Sequence, residues 1–272
     1  MATLFLVATP IGNLNELSPR AIDTLKSVDL IACEDTRNTI KLLSHFDIHT
    51  KMITYHNFNE EDSTKGIISL LKEGKDIALV SDAGYPLIAD PGYLLVNEVI
   101  KEGFNITTVS GPNAGLNALV ASGLNTNHYL FYGFLNAKKS QAKKELEALK
   151  TFPYTIIFYE APHRINDTLE VILEVFGDRK ACIARELTKL HETYYRDTLS
   201  NLSKLEDLKG EIVLLVEGYK EEEKEIDFNL LYEEIDNLIS NNLKTKEAVN
   251  EIAKKYGVSK NVLYNGYLKE KK

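Results

Sequence analysis

Residues 77–92 read Ile-Ala-Leu-Val-Ser-Asp-Ala-Gly-Tyr-Pro-Leu-Ile-Ala-Asp-Pro-Gly. The opening run, Ile77–Ser81, is apolar at successive positions, the pattern of a strand covered on both faces. Two prolines and two glycines then fall between Asp82 and Gly92, which fixes an irregular backbone path. A helical pattern follows over Tyr93–Glu102, and Gly103 stops it. Strand, kinked loop and helix in this order make one α/β unit. Asp90-Pro91 reads as a cap and first-turn proline for that helix. Asp82 stands beside Ala83-Gly84, where bare backbone lets a ligand come close, and reads as a ligand contact.

The same alternation extends in both directions. Leu4–Ala8, Leu30–Cys33, Ile106–Val109, Tyr129–Tyr132, Thr155–Tyr159, Cys182–Arg185 and Ile212–Val216 read as strands. Between them, Ser18-Pro19 caps a helix running to about Ser27, and Pro162 opens one that Gly177 closes. The pattern predicts α/β architecture with mostly parallel sheets. Element density falls over Gly115–Asn127, so residues 1–115 and 116–220 are expected to form two α/β domains. Lys220-Glu-Glu-Glu-Lys-Glu-Ile-Asp227 is acidic, lacks a hydrophobic period and reads as a linker. A helical module is expected over 226–272. Phe228–Ser240 carries Leu230, Leu231, Ile235, Leu238 and Ile239 on one stripe, and Thr245 can cap a second helix. Gly257-Val258-Ser259 then leads into Lys260–Leu268, the outline of a helix-turn-helix with Lys260, Asn261, Tyr264 and Asn265 as reading residues. A plain helical appendage has the same outline.

Composition bounds the class. The chain has 272 residues, 44% of them hydrophobic and 26% charged, which excludes a disordered polymer and leaves room for about two domains. Its net charge is −8, yet from Leu243 to Lys272 eight lysines stand against three glutamates, so the remainder is strongly acidic. An acidic body argues against general coating of nucleic acid, while the basic end leaves a local contact open. Cys33 and Cys182 are too few for a disulfide framework or a four-thiolate zinc site; each sits in an apolar run and reads as a small buried hydrophobe in a reducing compartment. The start, Met1–Ala8, lacks a basic region and soon meets Pro10 and Gly12, so it is expected to be a strand and not a signal peptide. No apolar run reaches the roughly 18 residues that would span a membrane, which points to the cytoplasm.

Ligands of open α/β sheets lie beyond the carboxyl ends of the strands. Four such connections are rich in Gly, Pro and small polar residues: Thr9-Pro10-Ile11-Gly12-Asn13, Glu34-Asp35-Thr36-Arg37, Ser81–Gly92 and Ser110-Gly111-Pro112-Asn113-Ala114-Gly115. Neither G-x-G-x-x-G after the first strand nor G-x-x-x-x-G-K-[ST] anywhere is present, which disfavours dinucleotides and triphosphates. Among the histidines only His45 and His49 have a ligand-like spacing; no acid but Asp47 is near, so a surface pair is expected and no metal site.

Five motifs in order, Thr9–Leu14, Glu34–Arg37, Ser81–Gly92, Ser110–Ala114 and Tyr159-Glu160-Ala161-Pro162-His163-Arg164, carry a resemblance. Over nearly its whole length the chain resembles the tetrapyrrole methylase superfamily, and within it the methylases of small-subunit ribosomal RNA. The one visible departure is Asn136, where that family has proline. The resemblance implies two α/β domains of the tetrapyrrole methylase type with the cofactor cleft between them, a small C-terminal all-α helix-turn-helix-like module, and a homodimer. It implies S-adenosyl-L-methionine as methyl donor and 2′-O-methylation of a cytidine in 16S ribosomal RNA of the small ribosomal subunit. Cofactor-binding residues would be Pro10, Asp82, Ala83, Gly84, Ile88, Asn113, Ala114, Glu160 and Leu187. Pro10 would stiffen the floor after the first strand, and the helix beginning at Asn113 would favour an anionic group at its N-terminus.

The reaction needs a base for the ribose hydroxyl. Glu34, Asp35, His56, Glu160, His163 and Glu186 are candidates, and Arg37, Arg164 and Arg185 could hold RNA phosphates by forked hydrogen bonds. Three charged groups at the end of one apolar strand single out Glu34, Asp35 and Arg37 as the catalytic set. Three other readings remain open: a C-methylase of uroporphyrinogen or precorrin sharing the donor cleft, a ligand-sensing DNA-binding regulator with the terminal helices as reader, and a scaffold that binds the donor without turnover.

Overall fold

The computed structural model describes residues 2–55, 60–221 and 227–271. They form two compact units, 1–220 and 221–272. The acidic segment expected as a linker lies mostly outside the described residues, as does His56.

The first unit holds two five-stranded sheets. In one, β1 (Thr3–Val7), β2 (Leu30–Cys33), β3 (Met52–Thr54), β4 (Ile77–Val80) and β5 (Asn105–Val109) lie in the order β3-β2-β4-β1-β5, all parallel. Every residue of β2 and β4 is buried, because helices cover both faces. Ile31, Cys33, Ala78 and Val80 point to one side, where α1 (Pro19–Ser27) and α2 (Thr36–His45) supply Leu25 and Leu43. The alternate residues Leu30, Ala32, Ile77 and Leu79 point to the other, against Ile67 and Leu71 of α3 (Glu60–Lys72) and Leu95 of α4 (Tyr93–Lys101). The period of two along each strand thus divides the core between two layers of helices.

The second sheet comprises β6 (Tyr129–Phe134), β7 (Thr155–Glu160), β8 (Lys180–Arg185), β9 (Thr193–Thr198) and β10 (Ile212–Val216), in the order β6-β7-β10-β8-β9. Only β6 and β7 are parallel; the other pairs run antiparallel, which corrects the expectation of mostly parallel sheets for this half. Phe158, Ile183 and Leu214 face α6 (Lys139–Leu149), α7 (Ile165–Phe176) and α8 (Leu199–Leu202). On the opposite face, Ile157, Cys182, Val213 and Leu215 pack with Ala118 and Leu119 of α5 (Ala114–Ala121) and with Ile11 and Leu187. Both cysteines are free and buried in these layers. Helix α7 starts at Ile165, three residues after Pro162, so that proline sits in the preceding turn and does not open the helix.

The second unit is a three-helix cluster of α9 (Phe228–Ser240), α10 (Thr245–Tyr256) and α11 (Lys260–Glu270). Its core is Leu231, Ile235, Val249, Ile252, Leu263 and Tyr267. Gly257 ends α10 in the left-handed region at φ 68°, the position that lets the chain turn into α11. Lys244 and not Thr245 occupies the cap position of α10, because Thr245 already has helical geometry. No described helix is long and apolar enough to cross a membrane.

Candidate functional site

Three connections at the carboxyl edge of the parallel sheet are sewn together. Beyond β1, Thr9 exchanges two main-chain hydrogen bonds with Gly84 beyond β4, at 2.9 and 3.1 Å. The Thr9 hydroxyl donates to the Ser81 carbonyl at 3.1 Å, and the Ser81 hydroxyl to the Gly84 carbonyl at 3.0 Å. Beyond β5, the Gly111 amide donates to the Tyr85 hydroxyl at 3.2 Å. A Cβ at Gly111 would stand 2.8 Å from the Ala8 Cβ, so only glycine lets the two connections approach this closely.

The loop after β4 is bent by two non-glycine residues in the left-handed region, Leu87 at φ 72° and Ala89 at φ 65°. Such positions cost on the order of 1 kcal/mol each and persist where surrounding structure fixes them. Leu87 packs into the core beneath Gly92, whose φ of 133° no ordinary side chain adopts readily. Across from this loop lies the end of β7 with Tyr159 and Glu160, and beside it Leu187, flanked by Glu186 (φ 51°) and Thr188 (φ 66°). Together they bound a cleft of about 400 Å³. A wider open hollow of about 570 Å³ lies between α3 and α4, away from the strand ends; its charged rim is internally paired, with Lys72 Nζ 2.8 Å from Glu102.

Seven of the nine expected cofactor residues line the cleft: Ala83, Gly84, Ile88, Asn113, Ala114, Glu160 and Leu187. Pro10 is buried and Asp82 is exposed; neither is among the lining residues, and Asp82 accepts a hydrogen bond from Asn38 Nδ2 at 3.0 Å. Asn113 caps α5 by accepting from the Leu116 amide at 2.8 Å. Glu160 is buried and fully engaged: one carboxylate oxygen accepts from the Ala161 amide at 2.8 Å, the other from the Thr168 hydroxyl at 2.6 Å, and Arg164 Nε stands 3.4 Å away.

The residues expected to be catalytic are not brought together by the cleft. Asp35 caps α2 through the Arg37 amide and grips the Arg37 guanidinium with both oxygens, at 3.0 and 2.8 Å. These bonds hold its carboxyl at about 2, well below the usual range. Arg37 is thereby committed to its own neighbour. Glu34 borders a small hollow shared with Ser81 and Asp90. Glu186 is bonded to Lys189 Nζ at 2.9 Å and to the Glu211 amide at 3.0 Å. Arg164 donates to the carbonyls of Leu135 and Asn136. His163 is exposed, as are His45 and His49, and the His49 ring stands 2.9 Å from Asp47.

Sequence reasoning placed Ile11 and Tyr159 in its motifs without giving them a binding role, passed over Phe134, and misread Asp90; the first three give the cleft its apolar and aromatic walls. Asp90 does not cap α4. Gly92 takes that position, without any side-chain bond, because the left-handed turns at Leu87 and Ala89 carry Asp90 inward to the cleft wall. Burial, reinforced by the charges of Glu34 and Asp82, pushes its carboxyl up to about 6. A carboxyl raised on folding favours the native state while protonated and loses that contribution as pH climbs through its folded value. Asp90→Asn is therefore expected to match wild-type stability below pH about 4 and to exceed it by about 1 kcal/mol above pH about 6, after allowance for partial exposure. Thermal melts across that range check it; equal melting temperatures at pH 7.5 would contradict the burial argument.

Comparison with known proteins agrees with this architecture. The sequence pattern of the tetrapyrrole (corrin/porphyrin) methylases matches residues 3–203. The chain is 47% identical over 275 residues to "Ribosomal RNA small subunit methyltransferase I" of Halalkalibacterium halodurans, covering 98% of this chain and 95% of that one. It is 46% identical to the protein of the same name in Bacillus subtilis, covering 98% and 94%. Among solved structures, a uroporphyrin-III-C-methyltransferase from Thermus thermophilus superposes with a TM-score of 0.58 at 18% identity, over 80% of this chain and 94% of that one, a likeness of fold alone. By sequence pattern, near full-length identity and fold, the chain belongs to the tetrapyrrole methylase family, in its group of ribosomal RNA small subunit methyltransferases I.

Proposed function

We propose that the chain transfers the methyl group of S-adenosyl-L-methionine to the ribose 2′-hydroxyl of a cytidine in 16S ribosomal RNA, acting as a cytoplasmic homodimer on the small ribosomal subunit. The reading is supported above all by near full-length identity to relatives named for small-subunit RNA methylation; the porphyrin and corrin enzymes share the fold at far lower identity.

The residues of the cleft fit that donor. A volume of about 400 Å³ lies within the roughly 300–1,000 Å³ of small-molecule sites. Ile11, Ile88, Leu187 and Val213 offer an apolar wall for a purine, with Tyr159 and Phe134 as aromatic faces. Asp90, Glu160 and Glu211 border it with carboxyl groups, the sign suited to a sulfonium and an ammonium and unsuited to phosphates. At the N-terminus of α5, Asn113 takes the Leu116 amide and the Tyr159 hydroxyl takes the Gly115 amide; among the described residues the Ala114 amide is bonded to no protein group and can receive a carboxylate.

When bound, the donor supplies an electrophilic methyl group on a cationic sulfur. The protein then aligns and shields. Loops fixed by the Thr9–Gly84 bridge set the donor's place, and proximity of well-oriented reactants contributes roughly 7–11 kcal/mol. A target nucleotide in folded RNA must be splayed out to reach a recessed donor. We further propose the division 1–115, 116–220 and 226–272, with the last part contacting RNA. Lys260 opens α11 on an exposed face. Lys260→Glu is expected to weaken subunit binding and to lower the slope of log affinity against log salt by about 1. A salt titration of binding checks this; an unchanged slope removes Lys260 from the contact.

The direct test incubates the purified chain with labelled donor and unmethylated small subunits, then maps the RNA by mass spectrometry. The expected product is a single 2′-O-methylcytidine. A label on a base carbon, or labelled porphyrinogen with unlabelled subunits, would contradict the proposal.

A further inference from the structure

We propose that Asp90 is the proton acceptor of the reaction, taking the ribose hydroxyl proton as the methyl group moves. The inference rests on the reading of the previous subsection and names a residue within it.

The argument begins with which cleft groups have a lone pair to spare. Three carboxylates border the cleft. Glu160 already accepts from Ala161 and Thr168 and neighbours Arg164. Glu211 is 73% exposed and 3.2 Å from Lys189 Nζ. The Tyr159 hydroxyl, pushed up by burial, accepts from the Gly115 amide. Asp35 is locked to Arg37 and lies outside the lining. Asp90 differs from all of these. Among the described residues no cation and no main-chain amide lowers its affinity for a proton; the Ser81 hydroxyl is its one hydrogen-bonding neighbour.

The groups facing Asp90 are the Glu34 carboxyl from the connection after β2, the Asp82 carboxyl and the Ser81 hydroxyl from the end of β4, and the Tyr159 phenol from β7. Two are anionic, one is a hydroxyl and one a weak acid. Burial and the two anions raise its affinity for a proton, while the Ser81 hydroxyl, as a hydrogen-bond donor, lowers it and leaves the other lone pairs open. The left-handed residues Leu87 and Ala89 turn the backbone so that Asp90 lies at the cleft wall.

The step balances. The ribose 2′-oxygen forms a bond to the methyl carbon as the carbon–sulfur bond breaks; the bonding pair stays on sulfur, which becomes a neutral thioether. The hydroxyl proton passes to an Asp90 carboxylate oxygen. One cation and one anion disappear together, a change that a partly desolvated cleft favours. A base that titrates near neutral pH is ionised at the start and still basic enough to accept the proton.

The test uses the full chain, assembled small subunits and Asp90→Asn, which keeps size and removes basicity. Single-turnover methylation at saturating donor is expected to fall about 10²–10³-fold. Donor affinity by calorimetry should fall only by the factor that the donor-induced shift of the Asp90 carboxyl dictates, far less than the fall in rate at saturating donor. The wild-type rate should rise with pH and level off at the titration of the donor-bound carboxyl, below about 6; the Asn variant should lose that inflection and Asp90→Glu should recover it at reduced rate. A second readout is independent of turnover. Carbon-13 NMR of the Asp90 carboxyl should show titration near 6 in the free protein and a downward shift on adding the donor cation. An Asn variant as fast as wild type with the same pH profile would overturn the proposal. So would one that loses donor binding yet reacts normally at saturation, which would make Asp90 a donor contact, or an Asp90 carboxyl that titrates below 4 with and without donor. A wild type that methylates another target would instead sink the reading of substrate and leave the carboxyl titration to decide the role of Asp90.

Discussion

Gly84→Val is expected to weaken donor uptake by more than about a hundredfold, equivalent to about 2.7 kcal/mol of binding energy. Gly84 joins the β1 and β4 connections through its two bonds to Thr9, and its φ is 78°. A Cβ there would meet Ile11 Cγ2 at 3.4 Å and the Pro112 carbonyl at 3.9 Å, both ordinary contacts. The first atom of a side chain therefore fits, and the next ones must enter the space that Ile11 and Gly84 line. Valine adds two methyl groups there and is a β-branched residue forced into the left-handed region. Gly84→Ala separates the two effects. It should cost about 1 kcal/mol of stability from backbone strain and leave uptake nearly unchanged. Calorimetry and thermal melts on both variants decide the matter; normal uptake by the valine variant would show that the floor of the site lies elsewhere.

Glu160→Ala should lower stability by about 3 kcal/mol or more, because it strands a buried set of partners. The carboxylate side chain is 1% exposed and serves the Ala161 amide, the Thr168 hydroxyl and the Arg164 guanidinium at the end of β7. Removing it leaves an amide, a hydroxyl and a half-buried cation without their acceptor, each of which costs more than an unmade bond in water. For a unit of this size that corresponds to a fall in melting temperature of about 6–12 °C. Thr168→Val should cost about 1 kcal/mol, since one bond is lost and the carboxylate keeps the others. A melting temperature unchanged in the alanine variant would mean that Glu160 is solvated and free for chemistry.

The contrast between Glu160 and Asp90 shows where sequence reading stops. Both occur in motifs that mark the carboxyl edge of a strand, and both are carboxylates beside a proline-containing turn. Asp-Pro before a helix is the pattern of a cap, yet Asp90 faces the cleft and Gly92 takes the cap position. What turned it inward was the left-handed backbone at Leu87 and Ala89, which no composition signal announces because neither is glycine. Glu160, by contrast, reads as a free acid until Thr168, eight residues away on α7, is seen to donate to it.

The strands that escaped notice did so for related reasons. β3 has three residues at a sheet edge, and none is fully buried, so no apolar run marks it. β9 is an edge strand of Thr, Tyr, Arg and Asp residues, and its polar face hides it. The antiparallel order of the second sheet is equally silent, since β10 is buried at every position just as β4 is. The other four strands of the first sheet were legible because each is an apolar or β-branched run, and three of them, β1, β4 and β5, feed a loop of Gly, Pro and small polar residues. The clustering of those loops at one edge also located the cleft, and seven of the nine residues assigned to the cofactor line it.

Titration calorimetry of the purified chain with S-adenosyl-L-methionine, run beside adenosine triphosphate, tests the account most directly. The two ligands share adenosine and differ in presenting a sulfonium with an amino acid or a chain of phosphates. The carboxyl-bordered cleft predicts saturable uptake of the first, one molecule per chain, and none of the second at the same concentration. No heat with the methyl donor, or equal binding of the triphosphate, would contradict it.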